Sequence, residues 1–223
     1  MSENEFCRKA WEGNRGEVMR RLQEDRNAVH DKDLVGRTAI HWAVSGKRLE
    51  IFNILVEHGS SLDDPDRDGW TPLMIACSVG LEEAVHFLIA KGANLNHKNS
   101  TGQAPIHYAS SKNHLDIVKK LYENGADVNV ADNFGATPLS RAITKGNMKI
   151  VEYLATTARC NIHSRDKEGD SALHLACEEG HRPMVELLLK LGARKDVMNK
   201  AEKYPKDVCR DLSLARLVSL TPS

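Results

Sequence analysis

One short segment of this chain recurs five times in register. It reads Gly36-Arg-Thr-Ala-Ile-His-Trp-Ala43, Gly69-Trp-Thr-Pro-Leu-Met-Ile-Ala76, Gly102-Gln-Ala-Pro-Ile-His-Tyr-Ala109, Gly135-Ala-Thr-Pro-Leu-Ser-Arg-Ala142 and Gly169-Asp-Ser-Ala-Leu-His-Leu-Ala176. The glycines advance by 33, 33, 33 and 34 residues. A fixed period of this length constrains the fold more than local propensity does. Each copy is too small to bury its apolar face alone, so neighbours must stack. A degenerate copy, Glu202-Lys-Tyr-Pro-Lys-Asp-Val-Cys209, follows Gly169 after another 33 residues. Counting back 33 from Gly36 reaches Glu3 and puts Ala10 at the repeat's alanine. Seven units are expected, with atypical ones at both ends.

Each recurring residue has a local reason. Pro72, Pro105 and Pro138 suit the first turn of a helix, where a missing N–H costs nothing and the fixed φ is already helical. Thr38, Thr71 and Thr137 precede that turn and can cap its orphan N–H groups. Three residues before each glycine or its degenerate equivalent stand Asp33, Asp66, Asn99, Asp132, Asp166 and Asn199, which favour tight turns by bonding their own backbone. Gly59, Gly92, Gly125 and Gly192 suit the end of a second helix, where φ is usually positive. Segments such as Glu83–Ile89 and Met184–Leu189 carry helical apolar spacing.

Each unit therefore reads as turn, helix, helix, hairpin. The register gives a single domain over 1–223. It divides into an N-terminal cap at 1–35, internal repeats at 36–68, 69–101, 102–134, 135–168 and 169–201, and a C-terminal cap at 202–223. Terminal repeats need a polar outer face. Arg8, Lys9, Arg15, Glu17, Arg20 and Arg21 around Phe6, Val18 and Leu22 supply it at one end. At the other, Leu212, Leu214, Leu217 and Val218 predict a short apolar stripe. The extra residue of the fourth step is expected in the hairpin near Thr157-Ala158-Arg159, where other repeats have Gly-Ala.

This period and the T-P-L-H-x-A core resemble the ankyrin-repeat family. The resemblance covers nearly the whole chain. It implies an all-α solenoid of seven stacked helix-turn-helix units joined by β-hairpin loops, working as a monomeric protein binder.

Composition agrees. The 31 Lys+Arg balance 31 Asp+Glu. A zero net charge argues against general nucleic-acid binding, which needs a basic surplus. Five scattered cysteines (Cys7, Cys77, Cys160, Cys177 and Cys209) show no CxxC pair, so neither a disulfide framework nor a zinc site is expected. The opening Met1-Ser-Glu-Asn-Glu lacks a basic start before an apolar run, so no leader is expected. No apolar stretch approaches the roughly 20 residues needed to span a bilayer. A soluble intracellular protein is the expectation.

The ten histidines invite a catalytic or metal reading. His41, His107 and His174 occupy the T-P-L-H position, each in its own repeat, where the family's histidine bonds within and between repeats. They cannot converge on one centre. The remaining histidines show no HExxH or paired His/Cys spacing, and neither GxSxG nor GxGxxG occurs. No catalytic residue, metal ligand or cofactor is assigned.

Specificity in such a scaffold lies at positions that the repeat leaves open: the hairpin tips and the exposed face of the first helices. Trp42, Trp70, Tyr108 and Phe134 form an aromatic series there, and Trp, Tyr and Arg dominate binding hot spots. The competing reading is that these rings pad the grooves between repeats. Charge is also sorted along the chain. Residues 63–68 hold Asp63, Asp64, Asp66 and Asp68 against Arg67, a net of 1 − 4 = −3. The middle carries Lys112, Arg141 and Lys145, and the fifth glycine-led repeat carries Glu178 and Glu179. Alternating blocks suit a partner with complementary blocks.

Non-consensus residues narrow the resemblance. Arg37–Ala43, Gly69–Leu73, His107–Asn113, Arg141–Lys149 and Leu173–Glu179 are similar to the gankyrin-type ankyrin chaperones of 26S proteasome regulatory-particle assembly. The segment Ala201–Val208 departs from the mammalian form of that family. The resemblance implies a partner, the C-terminal domain of a regulatory-particle ATPase, held on the concave face. It implies contacts at Arg37, Asp66, Trp70, Lys112, Arg141 and Glu179, and a place in cytoplasm and nucleus. That family also carries an LxCxE pattern, here Leu175, Cys177 and Glu179, which docks on retinoblastoma-type pocket proteins as an extended peptide. Ankyrin stacks include cyclin-dependent kinase inhibitors as well, so a cell-cycle regulator binding such a kinase or a pocket protein is the alternative.

Overall fold

The computed structural model describes residues 4–220. Glu3, and the ends of the domain at 1–3 and 221–223, lie outside the described residues. Helices come in pairs at the predicted register: α1 Glu5–Glu12 and α2 Arg15–Glu24, α3 Ala39–Ser45 and α4 Leu49–Glu57, α5 Pro72–Val79 and α6 Glu82–Ala90. Then follow α7 Pro105–Ser111 and α8 Leu115–Glu123, α9 Pro138–Thr144 and α10 Met148–Thr156, α11 Ala172–Glu179 and α12 Arg182–Lys190. In the last copy a 3-10 helix, Pro205–Val208, stands where other repeats place their first α-helix, and α13 Leu212–Leu220 closes it. No regular strand occurs among the described residues, and the joining fingers hold one isolated bridge, Arg165 to Ser171. No described helix is long and apolar enough to cross a membrane.

The chain divides into two compact units. The first holds residues through Ala109 together with Lys119–Ala126. The second holds Ser110–Val118 and the chain from Asp127 onward. The division falls inside the third glycine-led repeat, at no break in the sequence pattern.

In the first unit α3 packs between α1 and α5. Ile40, Ala43, Val44, Ile51, Phe52, Leu55, Leu73 and Met74 are fully or almost fully buried, and Phe52 meets Phe87 edge-on at 5.5 Å. The N-terminal cap buries Phe6, Cys7, Ala10, Val18 and Leu22 inward. Its outer face carries exposed ion pairs such as Arg20 with Glu17 and Glu24. Such pairs contribute about 0–1 kcal/mol each, so their service is solvation of the outer face. In the second unit α11 packs on α9, α12 and the 3-10 helix. Leu214 and Val218 are buried on the C-terminal cap, but Leu212 is 79% exposed and does not belong to the predicted apolar stripe.

The finger turns follow one rule. The Asx side chain accepts two backbone N–H bonds through Oδ1: from Val35 and Arg37 at Asp33, from Asp68 and Trp70 at Asp66, from Phe134 and Ala136 at Asp132. The following glycine has φ near +80°. A Cβ on Gly69 would sit 2.8 Å from Asn99 Cα, and one on Gly135 would sit 2.8 Å from Lys167 N. The next finger therefore forbids a side chain there. Glu202 takes the same left-handed conformation (φ 57°) in the last repeat.

The extra residue is absorbed where the sequence places it. Elsewhere an N–H reaches back five residues to close the second helix, as from Ala126 to Leu121 O. After α10 it reaches back six, from Cys160 to Leu154 O, and Arg159 adopts φ 50°.

Candidate protein-binding surface

The T-P-L-H histidines are scaffold. His41 Nδ1 accepts from Thr38 N at 3.2 Å, so Nε2 carries the proton and donates to Asp64 O at 3.0 Å. Burial holds the His41 imidazole below its ordinary range, which keeps it neutral. His174 bonds Ser171 N at 3.2 Å and Lys203 O at 2.9 Å in the same way. Each ties its helix start to the next finger.

In the first unit the structure brings five sequence-predicted residues into two clusters. Arg37 Nε donates to Asp66 Oδ2 at 2.8 Å, and its guanidinium lies 5.2 Å from the centroid of the Trp42 ring. Trp42 Nε1 in turn donates to Asp33 Oδ2 at 2.8 Å. Trp42 is thus half-buried and held by its own finger, as the groove-padding reading requires. Asp66 needs correction as a contact residue: its side chain is 2% exposed and spent on its turn and on Arg37. The second cluster is aromatic. Trp70 stacks on Tyr108 with centroids 4.3 Å apart and planes tilted by 39°. Both rings are half-buried, and the Tyr108 hydroxyl accepts from Asn99 Nδ2 at 2.7 Å. Asp68 stays exposed at the adjoining tip, with its carbonyl accepting from Ser100 N.

In the second unit Lys112 and Lys145 are exposed, and Phe134 is 65% exposed at its finger tip. Arg141 is not the free cation that the charge blocks suggest. Its Nη2 donates to Asp132, whose side chain is fully buried, and its Nε is buried with no partner. Burial pushes the Asp132 carboxyl up, but the Arg141 bond and the N–H groups of Phe134 and Ala136 outweigh it and hold the group below the usual range. Glu178 is exposed and Glu179 reaches Arg210 at 3.5 Å. The alternating blocks are therefore thinner than the sequence suggests. The acidic stretch loses Asp66 to Arg37 and part of Asp64 to Lys32 at 3.8 Å, and the basic middle loses Arg141.

The LxCxE residues lie within α11. Cys177 is fully buried, and Leu175 and Glu179 are half-buried. Burial raises the Cys177 thiol well above its ordinary range, and Cys209 beside it adds to the rise. An extended presentation would require this helix to melt.

Sequence reasoning missed a coupling nine residues long. Asp33 with Trp42, Asn99 with Tyr108 and Asp132 with Arg141 each join a finger Asx to the first helix that follows it. The signal was available: a polar-tipped side chain nine residues after an Asx that already sits in a turn.

Paired helices whose fingers turn on an Asx and lock against the next finger define a repeat scaffold for binding protein. The chain belongs to the ankyrin-repeat family: that family's model matches in three overlapping copies, over residues 6–99, 60–132 and 106–199. Among curated proteins it is 40% identical over 48 residues to human protein phosphatase 1 regulatory subunit 27, and 38% identical over 48 residues to the mouse protein. It is 33% identical over 61 residues to oxysterol-binding protein homolog 2 of Saccharomyces cerevisiae. These matches span 22%, 22% and 27% of this chain, but only 31%, 31% and 5% of those proteins. They carry the repeat, not a shared activity.

Proposed function

We propose that the chain is a non-enzymatic assembly chaperone resembling gankyrin, working in cytoplasm and nucleus. Through finger and first-helix residues it holds the C-terminal domain of a proteasomal regulatory-particle ATPase. The observation that carries this reading is the Trp70–Tyr108 stack beside exposed Asp68, an amphipathic anchor of the kind that dominates protein interfaces. In the second unit, taken by itself, exposed Lys112 and Lys145 suit an acidic partner surface. Arg141 enters this reading only as a scaffold residue, so charge reversal belongs at Lys112 and Lys145.

Affinity purification from cells with partner identification tests the reading. Regulatory-particle ATPases, recovered without the core particle and lost on Trp70→Ala, are the expected outcome. Recovery of a cyclin-dependent kinase, a retinoblastoma-type protein or a phosphatase with no ATPase would replace it.

A further inference from the structure

Each finger Asx spends Oδ1 on its own turn and has a second atom left over. In most fingers this chain itself fills that second position. Trp42 Nε1 covers Asp33 at 2.8 Å, Arg37 Nε covers Asp66 at 2.8 Å, and Arg141 Nη2 covers Asp132. Asn99 gives its Nδ2 to Tyr108, and Asn199 gives its Nδ2 to Asp170 at 2.7 Å. Asp166 differs. Its Oδ1 accepts from Glu168 N at 2.9 Å and Asp170 N at 2.8 Å, while its second oxygen has no donor among the described residues.

Two internal donors are missing: Ala136 follows Gly135 where Arg37 follows Gly36 and reaches Asp66, and the partner nine residues on is missing too. Where other repeats place Trp42, Tyr108 or Arg141, this repeat has Leu175. Burial raises the Asp166 carboxyl above its ordinary range, and the charges of Asp170 and Glu168 add to the rise. Of the neighbouring carboxylates Asp170 is engaged by Asn199, while Glu168 is exposed and lies beside an incoming cation. The nearest arginine in sequence, Arg165, is turned to the carbonyls of Gly169 and Met198.

We propose that Asp166 is a receptor for an arginine of a bound protein, whose guanidinium enters over Leu175 and takes the place that Arg141 takes at Asp132. Arginine fits better than lysine because the internal occupants of this position include planar N–H donors, the Trp42 indole and the Arg141 guanidinium, and a planar fork is preorganised for a carboxylate. A half-buried carboxylate with an unspent oxygen gains more from such a donor than an exposed one does. The inference rests on the chain being a protein-binding scaffold, and not on which protein it binds.

The test uses the full chain and two short peptides, acetyl-Gly-Arg-Gly-amide and the same peptide with neutral citrulline. The amide resonances of Glu168 and Asp170 report on the site, because both N–H groups bond Asp166. At low salt the arginine peptide is expected to shift both resonances saturably and the citrulline peptide to leave them in place. Asp166→Asn, which keeps an oxygen for the turn, is expected to lose the response. Leu175→Arg is expected to lose it too, by supplying the guanidinium internally, with the dispersed spectrum of the folded chain retained. Equal shifts from both peptides, no shift from either, or an arginine response that survives in both variants would overturn the proposal. None of these outcomes bears on whether the partner is a proteasomal ATPase.

Discussion

Asp132 and Asp166 occupy the same place in successive repeats of one unit, and the scaffold treats them in opposite ways. Both carboxylates close a finger turn with two N–H bonds. Asp132 also holds Arg141 and lies below the ordinary carboxylate range, whereas Asp166 faces Leu175 in the register and lies above it. The pair teaches that a charged residue at a finger is not thereby a binding residue. What decides is whether another side chain of the scaffold spends it, from the first helix that follows or, at Asp66, from Arg37 of the finger before.

The largest expected effect is at Asp132. Asp132→Asn removes the counter-charge of a half-buried guanidinium and is expected to cost about 2 kcal/mol, below the full penalty of a buried pair because Arg141 remains partly solvated. Urea unfolding at neutral pH measures it. A cost within error of zero would mean that Arg141 is in practice a free surface cation.

The last finger sharpens the same contrast through its backbone. Glu202 holds a left-handed conformation that costs a side chain roughly 1 kcal/mol, so Glu202→Gly is expected to raise stability by about that amount, less the extra chain entropy of glycine. Gly135→Ala is expected to destabilise instead, since its Cβ meets the Lys167 nitrogen at 2.8 Å. Equal thermal shifts of the same sign in both variants would contradict the role given to the following finger.

The smallest effect is at Asp166. Asp166→Asn keeps the turn and removes an ionisation that folding disfavours, so its change at neutral pH is expected within about 0.5 kcal/mol of zero, on the stabilising side. The two sites should also respond oppositely to pH. The folded carboxyl of Asp132 is depressed, so its contribution is present above the unfolded value and is lost as pH falls through the folded value. That of Asp166 is raised, so its contribution is present below the unfolded value and is lost as pH rises through the folded value. Acid should therefore shrink the penalty of Asp132→Asn and erase the advantage of Asp166→Asn. Parallel pH profiles for the two variants would refute the assignment.

Much of the fold was legible in the sequence because the repeat prescribes local structure. Pro72 and Pro138 begin helices, Thr71 and Thr137 cap them, and the extra residue after α10 falls where Gly-Ala is missing. The candidate surface was less legible. Its residues were chosen as those the repeat does not prescribe, yet Arg37, Trp42 and Arg141 are held by carboxylates that the repeat does prescribe. Those pairings depend on where a helix sets a side chain over a finger nine residues earlier, or in the next repeat, and a single-position reading does not see that. Leu212 failed for a related reason: helical spacing gave it a face, but the first turn of α13 leaves it in solvent. The boundary within the third repeat has no compositional mark at all.

The scaffold spends the Asp132 carboxylate and leaves that of Asp166 open. The carbon resonances of the Asp132 and Asp166 carboxyl groups, followed through an acid titration of one sample, test this difference most directly. Asp132 is expected to titrate below the ordinary aspartate value of about 3.9 and Asp166 above it. Coincident titrations, or the reverse order, would contradict it.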